Sequence, residues 1–187
     1  MGSRRRALLA TISCVVEHED VEELARTLTR AVFVQAMPEL ILVGDEAFTR
    51  TSSLLVTATM QVIDWKDPEA VRAALIHDKP PARLVRPVRK VHRTFPHMIT
   101  VGRALNNDLV VVDDSVSKLH AYFQKLPGSQ RLGLIDSGST NGTWLDERRL
   151  PPEGAPLEVK AGARLRFGRF TFTAMASGSY WDRAREL

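Results

Sequence analysis

Three short polar segments contain the side chains best suited to chemistry. Gly102 and Arg103 end an apolar run, and the Arg103 guanidinium offers a planar fork of donors that fits two phosphate oxygens at once. Residues 116–121 read Val-Ser-Lys-Leu-His-Ala, where a hydroxyl, a backbone N–H and an ammonium can converge. Residues 136–143 contain an Asn-Gly pair, which favours a tight turn with positive φ and accessible backbone amides. These groups predict phosphate binding.

The surrounding residues 83–176 predict the elements that hold these segments. Short apolar or alternating runs are separated by turn residues, a pattern typical of a β-sandwich or barrel. The expected strands are 84–85, 98–101, 109–112, 121–123, 132–135, 143–145, 157–159, 165–167 and 170–172. Each polar segment borders one of these strands, as a recognition loop would.

Residues 1–78 follow a different pattern, which favours a small α/β unit. Residues 7–16 predict a strand. Apolar residues between Val21 and Val32 then recur at helical spacing, which predicts one amphipathic helix that ends before Pro38. Further strands are expected at 40–43 and 53–63, and a short helix at 67–75. We find no chemical motif in this unit, and its function stays open.

A polar, proline-bearing stretch at residues 79–82 separates the two patterns. The expected organisation is an accessory region at 1–78, a linker at 79–82, a β-sandwich at 83–176 and a C-terminal tail at 177–187. The expected fold class is therefore mainly β, an antiparallel β-sandwich with a small N-terminal α/β unit.

Composition and charge narrow the class of protein. The 187 residues are 44% hydrophobic and 26% charged, which is typical of a soluble folded protein. Basic residues exceed acidic ones by 26 − 22 = 4, and the pI near 9.6 favours anionic partners in general. Cys14 is the only cysteine, which excludes an internal disulfide, and no CxxC or HExxH spacing occurs. Neither a metal nor a cofactor is expected.

The N-terminus allows two interpretations. The basic residues 4–6 and the apolar run at 7–16 weakly resemble a signal or lipoprotein leader. Thr11 and Ser13 interrupt the run and no A-x-A site follows, so a short buried strand explains it better. Since the run is shorter than the roughly 18 residues needed to span a bilayer, a soluble protein of the reducing cytoplasm is expected.

Taken singly, each polar segment can be explained as a strand end, an exposed corner or a hairpin turn. Their order along the chain is more specific than any one of them. In sequence they read Gly-Arg, Asn-Asp-Leu-Val-Val, Val-Ser-Lys-x-His-Ala, Asp-x-Gly-Ser-Thr-Asn-Gly-Thr and Gly-x-x-Leu-x-Phe-Gly. This series resembles the forkhead-associated (FHA) domain over residues 82–176. The resemblance implies two antiparallel sheets, with loops at one end that recognise phosphothreonine without catalysis.

The resemblance also implies a role for each loop residue. Arg103 would bind the phosphate, Ser117 would donate its hydroxyl to it, and Lys118 would add charge. Thr140 would approach the phosphothreonine from the facing loop, and Asn141 would hydrogen-bond the peptide backbone beside it. The family's preference for threonine over serine, attributed to a contact with the γ-methyl group, is implied in the same way.

Other residues are expected to support the site. Gly102, His120 and Gly142 are interpreted as architectural, His120 as a buttress of the Ser117 loop. Ser115 is a candidate for choosing the partner's side chain three residues after the phosphothreonine. The sequence departs from the family where Asp146 replaces a frequent Asn and Ala163 a frequent Asp. Both positions lie outside the expected phosphate contacts and bear only on loop geometry.

The function expected from these patterns is that of an adaptor in Ser/Thr kinase signalling. Its partners would be phosphothreonine-containing proteins, namely kinases or their substrates, with no small-molecule substrate and no membrane. Three alternatives remain: a hydrolase using Ser117, His120 and Asp136 as a triad, a phosphate-independent scaffold, and a nucleic-acid-binding protein. The residues that would bind nucleic acid are Arg83, Arg86, Arg89, Lys90 and Arg93. Interleaved aromatic residues are scarce there, which disfavours nucleic acid.

Overall fold

Short strands make up two sheets in the computed structural model, which describes residues 21–44 and 84–186. The strands are β1 (Leu40–Gly44), β2 (Val85–Pro87), β3 (Ile99–Gly102), β4 (Leu109–Val110), β5 (Ala121–Lys125), β6 (Leu132–Asp136), β7 (Thr143–Leu145), β8 (Arg148–Arg149), β9 (Leu157–Glu158), β10 (Arg164–Phe167) and β11 (Phe170–Ala176). The first sheet has the order β2-β1-β11-β10-β7-β8 and the second β4-β3-β5-β6-β9. Among the neighbouring strands in the described residues, only β3 and β4 run parallel. The predicted β-sandwich is confirmed.

Alternating side chains build the core between the sheets. In β11, Phe170 and Phe172 are buried while Thr171 between them is partly exposed. Phe172 meets Phe123 of β5 and Phe167 of β10 in one cluster of buried residues. Since a fully buried phenylalanine contributes roughly 1.5–3 kcal/mol, this cluster fixes how the two sheets face each other.

The strand predicted at residues 40–43 is present as β1, which is an inner strand of the first sheet. β1 pairs with β11 on one side and with β2 on the other. Its last residue, Gly44, donates its N–H to the carbonyl of Leu84 at 2.8 Å. The region assigned to the accessory unit thus supplies an inner strand of the first sheet. The linker and the elements predicted at 7–16, 53–63 and 67–75 lie outside the described residues and stay predictions.

The prediction of a single helix after Asp20 is wrong. Two helices occur in its place, α1 (Val21–Thr27) and α2 (Arg30–Ala36), with a break between them. Thr29 has extended backbone angles, φ −67° and ψ 153°, at the start of α2. The hydroxyl of Thr27 donates to the carbonyl of Glu23 at 2.9 Å. Threonine hydroxyls that bond nearby backbone compete with regular helix, which accounts for the break.

A third helix, α3 (Ser177–Ala184), forms within the predicted tail. It packs with α1 and α2 against the outer side of β1 and β2, in a second apolar cluster that includes Phe33, Ile41 and Tyr180. The rings of Phe33 and Tyr180 stack with centroids 6.1 Å apart. Arg30 bonds Asp182 through both Nε and Nη2, at 2.9 and 3.1 Å. The helices therefore form a layer over one end of the first sheet.

None of the helices in the described ranges has the length and hydrophobicity that crossing a membrane requires.

Truncation of Phe33 tests whether the helical layer belongs to the cooperative fold. Phe33 is 0% exposed, and Phe33→Ala should lower the free energy of unfolding by about 3 kcal/mol. The matched control is Val34→Ala, on the same helix but 39% exposed, which should change stability by less than about 0.5 kcal/mol. Urea unfolding of the full chain measures both, and equal effects would contradict the prediction.

Candidate functional site

Three loops meet at one end of the sandwich. The first loop follows β3, the second lies between β4 and β5, and the third lies between β6 and β7. They comprise residues 103–108, 111–120 and 137–142. Each polar segment singled out in the sequence falls in or borders one of these loops, so the fold brings the three segments together.

Ser117 is the point where all three loops touch. Its carbonyl accepts the backbone N–H of Arg103 at 3.0 Å. Its Oγ accepts the backbone N–H of Thr140 at 3.1 Å and lies 3.4 Å from the Thr140 hydroxyl. The two hydroxyls and the adjoining arginine therefore come from three separate loops yet occupy neighbouring positions.

Arg103 and Lys118 are exposed cations next to this point. Ala104, which follows Arg103, donates its N–H to the Lys118 carbonyl at 3.3 Å. Considering only the described ranges, neither the Arg103 guanidinium nor the Lys118 ammonium has a hydrogen-bond or ion-pair partner. Both charges are thus available to an anionic ligand.

Asn141 reaches from the third loop over the second. Its Nδ2 donates to the carbonyl of Ser115 at 2.8 Å, and the side chain is exposed. An amide carries both donors and an acceptor, so this single bond orients the group while leaving further hydrogen-bonding capacity. Asn141 is therefore placed to contact an extended chain that lies across the loops.

Ser115 is held from several sides. Its N–H donates to Asp113 Oδ1 at 2.8 Å, and its Oγ accepts the backbone N–H of Arg169 at 3.2 Å. The Arg169 guanidinium forms an ion pair with Asp113. A Cβ on Gly168 would lie 2.3 Å from the Ser115 carbonyl oxygen, so the turn between β10 and β11 presses directly on this residue.

His120 lies buried beneath the loops and joins the second to the third. Its Nδ1 accepts the backbone N–H of Ser117 at 3.0 Å, and its Nε2 lies 3.1 Å from the carbonyl oxygen of Gly142. Since Nδ1 is an acceptor, Nε2 carries the proton and donates. Burial lowers the pKa of the imidazole, although the bond to Gly142 and the charge of Asp136 act in the opposite direction. His120 therefore joins the two loops in its neutral form.

Two glycines sit where no side chain fits. A Cβ on Gly102 would lie 2.3 Å from the Lys118 carbonyl oxygen. Gly142 has a φ of +82°, and its Cβ would lie 2.8 Å from Arg149 Nε. The first glycine allows the first and second loops to approach, and the second allows the third loop to turn under Arg149.

Asp136 shapes the third loop, a role the sequence analysis missed. Its Oδ2 accepts the N–H groups of Gly138 and Ser139 at 3.1 and 3.0 Å. Its Oδ1 accepts the hydroxyls of Ser139 and Thr143 at 2.6 and 2.5 Å. The Asp-x-Gly-Ser pattern, in which an aspartate can bond backbone two residues on, was the available signal.

Asn107 and Asp108 were also missed, because Asn-Asp-Leu-Val-Val served only to identify the resemblance and its side chains were given no role. Asn107 Nδ2 donates to the carbonyls of Lys118 and Ala104 at 2.7 and 2.8 Å. The fully buried Asp108 carboxylate accepts bonds from Lys90 Nζ and from backbone N–H groups. Its burial would raise its pKa, yet the Lys90 and backbone bonds outweigh burial and hold that pKa below its usual value.

The geometry does not assemble the triad considered as an alternative. Both nitrogens of His120 are engaged, one by the Ser117 backbone and one by Gly142. Asp136 bonds residues of its own loop and of β7. Ser117 Oγ therefore faces no imidazole nitrogen that could take its proton.

The basic residues considered for nucleic acid do not form an open row. Lys90 pairs with Asp108 at 2.8 Å. Arg86 is partly buried and donates from Nη1 to the Val85 carbonyl at 3.1 Å, and burial lowers its pKa. Arg93 is exposed, and Arg83 lies outside the described residues. Within residues 84–93, Lys90 and Arg86 are thus engaged by groups of the protein itself.

Acidification should destabilise the protein through His120. Because burial lowers its pKa below the ordinary 6.5, the unfolded chain takes up this proton at a higher pH than the folded chain does. Stability is independent of this group well above pH 6.5 and falls as the pH drops through that value. A plot of the unfolding midpoint against pH should have a smaller slope for His120→Gln than for the wild type. His97 is exposed, and His97→Gln should keep the wild-type slope. Identical slopes in all three proteins would refute this origin.

Part of the chain is similar to known proteins. The family model for the FHA domain matches residues 99–168. The FHA domain-containing protein PS1 of Arabidopsis thaliana is 31% identical over 74 residues, covering 40% of this chain and 5% of that protein. The FHA domain-containing protein FhaB of Mycolicibacterium smegmatis is 35% identical over 71 residues, covering 38% of this chain and 43% of that protein. The chain thus spans less than half the length of either relative.

Among solved structures, Mycobacterium tuberculosis EmbR in complex with a low-affinity phosphopeptide aligns with a TM-score of 0.41 and 20% identity, over 50% of this chain and 22% of EmbR. The FHA domain of the CT664 protein from Chlamydia trachomatis aligns with a TM-score of 0.39 and 20% identity, over 52% of this chain and 86% of that one. The resemblance seen in the sequence is confirmed by the family model and the two curated relatives. The chain carries a forkhead-associated domain, matched over residues 99–168.

Proposed function

We propose that this chain binds phosphothreonine-containing segments of other proteins and acts, without catalysis, as an adaptor in Ser/Thr kinase signalling in the cytoplasm. One observation supports the proposal above all others. The hydroxyl of Ser117 meets the backbone N–H of Thr140 beside two cations, Arg103 and Lys118, that have no partner within the described ranges. This combination suits a small, doubly charged anion on a peptide.

The charges account for selection of the phosphorylated form. A phosphothreonine carries about −1.5 to −2 charges and three strong acceptor oxygens. Arg103, Lys118 and the Ser117 hydroxyl can each donate to those oxygens, and charge-assisted bonds of this kind contribute about 1.5–3 kcal/mol each. An unmodified threonine offers no charge to offset the desolvation of the two cations. Phosphorylation therefore acts as the switch.

Preorganisation supports the same assignment. The bonds from His120 to Ser117 and Gly142, and from Asn141 to Ser115, join the loops through the chain's own groups. A site whose loops are already ordered loses less conformational entropy on binding. Asn141 would then exchange or share its bond with the peptide backbone next to the phosphothreonine. Ser115, held beneath Asn141, remains our candidate for influencing the side chain three residues onward.

The adaptor role follows from what the site lacks. In the described residues around Ser117, the groups that could activate a nucleophile are engaged elsewhere, as His120 and Asp136 show. These contacts support binding rather than catalysis. Kinases or their substrates are the natural source of phosphothreonine, and a threonine preference is the trait that the FHA family implies.

Replacement of Arg103 should remove most of the binding. Phosphothreonine peptides selected from a library should bind the wild type with micromolar affinity, about −8 kcal/mol. Arg103→Ala should raise Kd at least about thirtyfold, equivalent to about 2 kcal/mol, because a charged donor to phosphate is lost. Isothermal titration of the full chain measures the difference.

The matched control is Arg131→Ala, which removes an exposed arginine just before β6, at the opposite end of that strand from Asp136 and the third loop. It should leave Kd within about twofold of the wild type, as expected for screened surface charges. Equal retention of phosphorylated and unphosphorylated peptides by the wild type would contradict the proposal. So would equal affinity of the wild type and Arg103→Ala.

A further inference from the structure

A row of large side chains crosses the outer face of the first sheet. Trp144 of β7 is paired in register with Arg149 of β8 and with Arg166 of β10. Residues opposite each other on neighbouring strands project from the same face. Leu145 and Leu165, their neighbours along β7 and β10, are buried between the sheets. Trp144, Arg149 and Arg166 therefore face outward.

Two guanidinium groups of this row lie over the Trp144 ring. The Cζ of Arg166 lies 3.3 Å from the ring centroid, and that of Arg149 lies 5.3 Å away. Arg164 is exposed two residues before Arg166 and projects from the same face. Arg148 lies opposite the buried Leu145 and therefore projects from the other face of the sheet. We call Arg149, Arg164 and Arg166 the arginine face.

No ion pair within the described parts of the chain neutralises the arginine face. Within residues 21–44 and 84–186, none of its three guanidiniums forms an ion pair. Asp146 and Glu147 lie in the turn between β7 and β8, but Asp146 Oδ1 accepts the backbone N–H of Arg164 at 2.8 Å. Clustered like charges repel one another, and an anion bound among them relieves this repulsion.

The arginine face begins directly against the third loop. A Cβ on Gly142 would lie 2.8 Å from Arg149 Nε and 2.9 Å from Cη2 of Trp144. Gly142 follows Asn141, the residue assigned to the peptide backbone. A bound chain that continues past Asn141 therefore meets Arg149 without a gap.

We propose that the arginine face binds a carboxylate-rich stretch of the same polypeptide that presents the phosphothreonine. The inference rests on the proposed function and names a further feature of the partner. Guanidinium groups match carboxylates in bidentate geometry. From β8 to β10 the face spans about 10 Å, given a strand spacing of about 4.8 Å. About three extended residues cover that distance.

Nucleic acid matches this surface less well. Proteins that bind single strands stack bases on free aromatic rings. Trp144 already has a guanidinium 3.3 Å from its ring centroid. The face is also confined to one short row of strands, and a partner held at the adjoining loops is a polypeptide.

Two matched peptide libraries test the inference. Both contain phosphothreonine flanked by randomised positions, and a block of four residues, either Glu or Gln, is added on one side or the other. At low salt, the wild-type full chain should bind the Glu library about fivefold more tightly than the Gln library, as expected for a few exposed ion pairs. This preference should occur only when the block lies on the side of the phosphothreonine that reaches the arginine face. Arg149→Gln combined with Arg166→Gln should abolish the preference.

The controls separate charge, folding and site. Arg93→Gln combined with Arg131→Gln removes the same charge elsewhere on the surface and should keep the Glu preference. Arg164→Gln leaves the Trp144 contacts intact and should reduce the preference in part. Undiminished binding of the Gln library by the Arg149/Arg166 variant shows that its phosphothreonine site is folded.

The outcomes distinguish the two proposals. Equal binding of both libraries by the wild type, with phosphothreonine still required, overturns the acidic-segment inference and leaves the proposed function standing. Failure of the wild type to bind either library overturns both. Retention of single-stranded DNA that is lost in the Arg149/Arg166 variant, without a Glu preference, overturns the inference in favour of nucleic acid.

Discussion

The imidazole of His120 spans two loops that come from different parts of the chain. One ring nitrogen accepts the backbone N–H of Ser117, and the other donates to the carbonyl of Gly142 in the third loop. The ring is buried and also contacts the edge of Phe167, with centroids 5.9 Å apart. Since a neutral histidine is at once donor and acceptor, it satisfies both loops only in this protonation state. Core packing and loop geometry therefore depend on one group.

A network of buried polar groups surrounds that clamp. Asp136 ties the third loop to β7, Asn107 ties the first loop to the second, and Asp108 ties the first loop to the segment before β3. These groups hold backbone N–H and C=O groups that the strands leave unpaired. The side chains proposed to meet the ligand, Arg103 and Lys118, take no part in the network. The two cations are thus separate from the network, whereas Ser117 and Asn141 both join the loops and are proposed to contact the ligand.

The sequence predicted the sandwich well because its strands alternate and its turns carry Gly, Asn and Pro. The positions of all nine strands predicted in residues 84–172 agree with observed strands to within a few residues. The break at Thr29 and the helix at Ser177–Ala184 were not foreseen. The C-terminal helix depends on contacts distant in sequence, such as Phe33 with Tyr180, and the break accompanies a local bond of the Thr27 hydroxyl. The spacing of apolar residues reveals neither. Likewise, the loop motif located the polar segments, but the hydrogen-bond partners of Asp136 and Asn107 required coordinates.

The pairing of β1 with β2 has a consequence for how this family of sequences can vary. Gly44 and Leu84 are joined by one 2.8 Å backbone bond, so the chain leaves the sheet and re-enters it at adjoining points. The entropy of closing such an excursion grows only with the logarithm of its length, about 0.6 kcal/mol per doubling. Strand register on either side is set by β11 and the core. The pairing of β1 with β2 is therefore compatible with connections of very different lengths at little thermodynamic cost.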